Sequence, residues 1–179
     1  MLDNQLIKIF LPIINNGLIG EGLVNVSVRQ NYQPTNQGIK SGQSVYFFKV
    51  SDERRGTVGV REKFDALNSL MIREEITSYE STFQVSAYSI QDPTDTDQLT
   101  ASDLVNVVSE ILQRENTVQT LTANSIGILR IGQIRNPYFI NERNNFEASP
   151  SFDFVLSHNQ TRVTEIPVVE SIKKHIYTV

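Results

Sequence analysis

The sequence predicts an α+β fold with a largely antiparallel sheet, and three observations carry that expectation. Apolar and polar residues alternate with period two over several long stretches. Only two segments show helical spacing. The strand signals also follow one another in runs and do not alternate with helices, as a parallel α/β sheet would require. The 179 residues contain no internal repeat and no linker rich in Pro, Gly or Ser, so one domain over 1–179 is expected. A chain of this size buries roughly two-thirds of its unfolded surface and folds without covalent staples.

The first helix is expected to start at Asp3, a fair N-cap, with Leu6, Ile9, Phe10, Ile13 and Ile14 as its apolar stripe. Pro12 should kink or shorten it, and Asn15-Asn16-Gly17 should stop it. Val24, Val26 and Val28 alternate with polar residues as in a half-buried strand. Residues 31–43 read as a polar loop, and Val45 to Val50 as a strand buried on both faces. Asp52 to Gly56 reads as a charged turn, with further strands at 57–64, 70–77 and 80–90. The second helix covers 101–115, where Ala101, Leu104, Val105, Val108, Ile111 and Leu112 share one face. Thr100 and Asp103 approximate a capping box in front of it. A strand at 126–134, a long loop at 136–151, a strand opening with Phe152, Phe154 and Leu156, and a C-terminal strand at 168–178 complete the expectation.

The composition offers little chemistry. With no cysteine there are no disulfides, zinc thiolates, iron–sulfur clusters or thiol nucleophiles. The two histidines, His158 and His175, come with no G-x-S-x-G elbow and read as hydrogen-bonded or exposed strand residues. Gly17, Gly20 and Gly22 follow a helix in the wrong order for a phosphate loop and read as a helix-ending turn. Asp92, Asp95 and Asp97 lack the central glycine of a calcium loop and lie just upstream of a helix N-terminus, where negative charge is favourable. Glu74, Glu75 and Glu80 are explained as surface charge. No catalytic, cofactor-binding or metal site is expected. The net charge of −4 without a basic cluster argues against nucleic-acid binding, and no apolar run reaches the ~20 residues needed to cross a bilayer. With no basic leader at Met1-Leu2-Asp3, the chain is expected to act in a cytoplasm or in particles assembled there.

The long polar loops stand out, because median connections are about 4–6 residues. They carry Tyr32 and Ile39 in one, and Tyr138, Phe139, Ile140, Arg143 and Phe146 in the other, residue types common at contact surfaces. At these loops, Tyr32-Gln33-Pro34-Thr35-Asn36-Gln37-Gly38 resembles a turn of the phage neck terminator family, the gp12-like group. Residues 79–87 (YESTFQVSA), 99–103 (LTASD), 135–139 (RNPYF) and 147–154 (EASPSFDF) resemble further stretches of that family in order.

The resemblance implies a structural virion protein of the phage neck, not an enzyme. It implies a tail terminator that caps the tail tube, stops its polymerisation and offers a docking surface to the head–tail connector. A hexameric ring, a tube protein on one side, a connector or neck protein on the other, contact with sheath protein and passage of DNA through the channel all follow from the same resemblance, with no cofactor and no membrane. The alternative is another neck or tail component, a connector adaptor or tube-completion protein. The residues expected at interfaces are Tyr32, Gln33, Pro34, Arg54, Arg55, Tyr138, Phe139 and Arg143.

Overall fold

The computed structural model describes residues 3–30, 42–89, 97–140 and 146–167, with side chains omitted over 138–148. The chain order is α1 (Asp3–Gly20), β1 (Ser27–Gln30), β2 (Ser44–Asp65), β3 (Leu70–Tyr88), α2 (Ala101–Gln113), α3 (Glu115–Ala123), β4 (Ile126–Ile131), β5 (Tyr138–Ile140), β6 (Phe146–Ala148) and β7 (Ser151–Pro167). Five strands form one sheet in the order β1-β2-β3-β7-β4, and β5 pairs with β6 as a separate hairpin. Every pair in the large sheet is antiparallel except β1 with β2. The α+β fold is thus as the sequence patterning predicts, with a third helix added.

The core lies between one face of the sheet and the helices. Phe47, Phe83, Val85, Phe152, Phe154 and Leu156 point from alternate positions of three strands into this layer, where period two puts them on one face. Leu6, Phe10, Ile14 and Leu18 of α1 meet them at four-residue spacing, together with Leu104, Val105, Val108, Ile111 and Leu112 of α2. Phe10, Phe83 and Phe154 form the centre, with ring centroids 5.6–6.3 Å apart.

Several expectations about boundaries are corrected. Pro12 lies inside α1 without ending it, and the helix runs past Gly17 to Gly20. Its end is a Schellman closure: Gly22, at φ 80°, donates to the Ile19 carbonyl, and Leu23 donates to the Leu18 carbonyl at 2.9 Å. Gly17 instead permits close helix packing, because a Cβ there would sit 2.5 Å from the Ile111 side chain. The first strand begins at Ser27, leaving Val24 exposed. Asp52 to Gly56 is not a turn but the middle of β2, so the strands expected at 45–50 and 57–64 are one. Likewise 70–77 and 80–90 merge into β3.

The second helix ends at Gln113, and α3 follows in a stretch left unassigned. Two residues, Thr117 and Leu121, turn its inner face to the core, too few to raise a helical signal above a polar background. The strand expected over 126–134 stops at Ile131, and the 136–151 loop contains the β5–β6 hairpin. The capping box forms as expected: Asp103 N–H donates to Thr100 Oγ1 at 3.0 Å, and Thr100 N–H donates to Asp103 Oδ2 at 2.9 Å. The 31–43 loop up to residue 41, Asp92, Asp95, His175 and the 168–178 strand lie outside the described residues.

Candidate assembly interface

β2, β3 and β7 are far longer than the helices that cover them. At about 3.3 Å per residue, the 22 residues of β2 extend about 70 Å. The helices pack on the half of the sheet that holds Phe47, Phe83 and Phe154. Beyond it, Glu53–Asp65, Leu70–Glu80 and Asn159–Pro167 continue as a three-stranded ribbon with no buried residue. β3 and β7 pair without a register shift from Ser86↔Ser151 to Leu70↔Pro167, so body and arm share one continuous ladder.

The arm leaves the body at a polar cluster that runs from buried Ser81 and His158 out to exposed Asp52 and Asp3. Lys49 bonds to Asp3 of α1 at 2.5 Å and also to Asp52. Ser81, fully buried, donates to Asp52 Oδ1 at 2.5 Å and lies 2.8 Å from His158 Nε2. Since the Ser81 proton is directed to the carboxylate, His158 must donate through Nε2, which leaves its Nδ1 a buried acceptor without a partner. Tyr79 stacks on the imidazole at 5.8 Å. Burial holds the His158 pKa below its ordinary 6.5. For Asp52, burial acts upward, but hydrogen bonds from Lys49 and Ser81 outweigh it and hold the carboxyl low. For Lys49, burial acts downward, and the bonds to Asp3 and Asp52 outweigh it and raise the ammonium. A general base would have to accept the serine proton; here that proton is committed to Asp52, and the group acts as a polar clamp.

Two of the sheet's register shifts fall on β2 beside this clamp, and a third lies on β4 between Ile128 and Arg130. One extra residue lies between Lys49 and Ser51, and two lie between Arg55 and Gly59. Gly56 in the second bulge has φ 67°, a conformation that disfavours side chains with a Cβ. The first bulge shifts the alternation of β2, so that Asp52 and Arg54 face the helix side while Glu53 and Arg55 face away. Arg55 pairs with Glu80 at 2.9 Å and with Glu53 at 3.3 Å. The arm tip is closed by Asp65, which accepts from Leu67 N–H at 3.0 Å and from Asn68 Nδ2 at 2.8 Å. Leu67 is 96% exposed there.

A concave surface lies between α1, α2 and α3, a groove of about 470 Å³ with Ile9, Pro12 and Ile13 on one wall and Thr117 and Thr120 on the other. Arg114 bonds to Glu21 at 2.5 Å beside it. Among the described residues no group of three or more His, Asp or Glu side chains is placed to hold a metal, and no helix is long and apolar enough to cross a membrane.

Of the interface residues expected from sequence, Arg54 and Arg55 lie together on the arm near its base, on opposite faces. Tyr138 and Phe139 are in β5, whose side chains are not described, while Tyr32, Gln33, Pro34 and Arg143 lie outside the described residues. The arm itself was missed. Its signal was the period-two pattern running through 57–64 and 70–77, which a charged five-residue stretch appeared to interrupt.

Comparison with known proteins gives the class first. Residues 5–168 match a family model described as "E217 gateway protein gp29", a phage family. The chain belongs to this gateway protein family. The narrower gp12-like grouping is not what this match names. No curated protein matches the sequence. Among solved structures 18 chains match. One is described as a sheath/tube terminator of an extracellular contractile injection system in its extended state; it is 10% identical, with a TM-score of 0.48. The alignment covers 100% of this chain and 64% of that one.

Proposed function

We propose that this chain is a tail-terminator-type structural protein of the phage neck, acting as a ring on the head-proximal end of the tail. The observation that carries the reading is membership of a phage gateway family over nearly the whole described chain. The long β arm supports it, since a free ribbon with charged faces is suited to contact other subunits. Six copies would cap the tail tube, stop tube addition and offer their far side to the head–tail connector, with sheath protein as a further neighbour and DNA passing through the channel. Tube growth is head-to-tail addition, which continues until something occupies the growing end without presenting the next docking surface. A terminator does both. The acidic net charge lets DNA pass a ring without adhering to it.

The test is a genome lacking this gene, with particles viewed by electron microscopy. Tails should be overlong or left unjoined to heads, rescued by the parent gene but poorly by Arg54→Ala/Arg55→Ala. Normal tails on filled heads would refute the termination role. Tails of normal length that fail only to join heads would favour a connector adaptor or tube-completion protein.

A further inference from the structure

Among the described residues the arm is bounded by two open sheet edges. β1 covers β2 only at Ser44–Phe47, and β4 covers β7 only at Phe154–His158. Among the described residues, β2 from Phe48 onward has β3 on one side and no strand on the other, and the same holds for β7 from Asn159 onward. Such edges present a row of unpaired N–H and C=O groups, and proteins that do not use them shorten them, bulge them, place charges such as Lys on them or interrupt them with proline. Here the edge of β2 from Gly59 to Asp65 pairs regularly with β3 and holds no proline, and β7 has one only at its last residue. Apolar side chains are nevertheless left open on both edges: Val60 and Phe64 on β2, and Val163 on β7, are 47%, 52% and 59% exposed.

The two edges are complementary in charge on each face. On the face continuous with the helix-covered side, β2 offers Glu62 and β7 offers Arg162; on the other, β2 offers Arg61 and Lys63, and β7 offers Glu165. Among the described residues, Arg61, Lys63, Arg162 and Glu165 make no ion pair, and Glu62 has only a long one, 3.8 Å to Arg73. Of the charged pairs, Lys63 and Glu165 stand at equal height, whereas Glu62 is level with Thr164, two residues from Arg162. Lys63, Ile72 and Glu165 form one row across the arm, and Phe64, Met71 and Ile166 form the next.

We infer that the arms of neighbouring copies pair edge to edge, residues 59–65 of β2 beside residues 161–167 of β7 in the next copy. This rests on the ring reading above and names the surface that would build it. With all arms pointing one way, both strands run from body to tip, so the contact is parallel, with evenly spaced, slanted hydrogen bonds. At equal height Lys63 meets Glu165 of the next copy, and Phe64 meets Ile166. The contact is heterologous, and closing the ring leaves no edge of the arm unpaired. A strand of some other protein would satisfy one edge and leave the complementary one bare, which is why a second copy of this chain is the better occupant.

The absence of cysteine makes the test direct. Within one copy, positions 63 and 165 are separated by β3, about 10 Å at two strand spacings, beyond the reach of a disulfide. The full-length double variant Lys63→Cys/Glu165→Cys, oxidised after assembly in particles and as concentrated purified protein, should give a ladder of covalent oligomers that ends at the closed ring. Each single variant should give at most dimers. Independently, Lys63→Glu and Glu165→Lys should each raise the concentration needed for assembly about fivefold, the effect of a ~1 kcal/mol cross-strand pair, and the double reversal should restore it. Thermal melts of the variants confirm that these exposed changes leave the fold intact. A sixfold ring visible in particles whose 63 and 165 positions never cross-link would overturn the edge pairing and leave the ring reading standing. Cross-links to a different protein would overturn the choice of a second copy. If no ring is present at all, the ring reading fails first and takes this contact with it.

Discussion

His158 shows how one side chain ties the arm to the body. It is buried, donates to Ser81, lies under Tyr79 and has a ring nitrogen with no partner. Burial disfavours the charged imidazolium and holds its pKa below the ordinary 6.5, and protonation would also put a second donor on a nitrogen with no partner among the described residues. The unfolded chain does take the proton. The stability contributed by neutral His158 is therefore complete above pH 6.5 and is lost as the pH falls through that value toward the lower folded pKa. Asp52, held low by its bonds from Lys49 and Ser81, contributes in the same direction only below the ordinary carboxylate value of 3.8, so the two effects are separable. His158→Gln keeps a side-chain donor for Ser81 and removes the titration. Denaturant unfolding of parent and variant from pH 8 to 5 should show the parent losing stability below pH 6.5 while the variant's curve is flatter. Parallel curves would show that His158 does not titrate as described.

At the scale of elements, α2 is the most legible part of the molecule and α3 the least. The stripe Leu104, Val105, Val108, Ile111 and Leu112 was readable because an amphipathic helix on a sheet needs just that spacing, and all five are buried. Replacing Val108, fully buried, with Asp places a charge where no partner exists and should cost roughly 3 kcal/mol or more. A variant that melts with the parent would show that this face is not the packed one. The strand signals were also sound, but their punctuation was misread. Asp52, Glu53, Arg54 and Arg55 look like a turn because charge in a run usually marks exposed loops. Here they are exposed because β2 has left the helix layer while remaining paired with β3. No local pattern distinguishes a strand bare on both faces from a polar connection; the partner strand decides it. The end of α1 was misjudged for a similar reason, since Gly17 serves the distant Ile111 and not its own helix terminus.

For the whole molecule, the family was within reach of sequence at a coarse level, as a phage structural protein, because several short stretches occurred in the right order. The interface residues remain an expectation. Six of the eight chosen lie in stretches with no described side chains, and the two that can be placed, Arg54 and Arg55, sit on an arm no loop-based argument anticipated. If the ring reading holds, a particle map should show six copies at the head-proximal end of the tail, with arms pointing one way. Any other rotational order there would sink the sixfold count.

The continuous ladder between β3 and β7 also has a mechanical consequence. Its 17 paired positions run from the aromatic core to the arm tip without a break, so the arm is a cantilever whose root is the core itself. An axial pull at the tip loads these hydrogen bonds together in shear, so they do not open one at a time. A sideways push acts as torque on Phe83 and Phe154 through the same backbone. Within the arm and at its root the register shifts lie on β2, and compliance is concentrated there. The molecule is thus built to carry load along one axis while yielding at one strand.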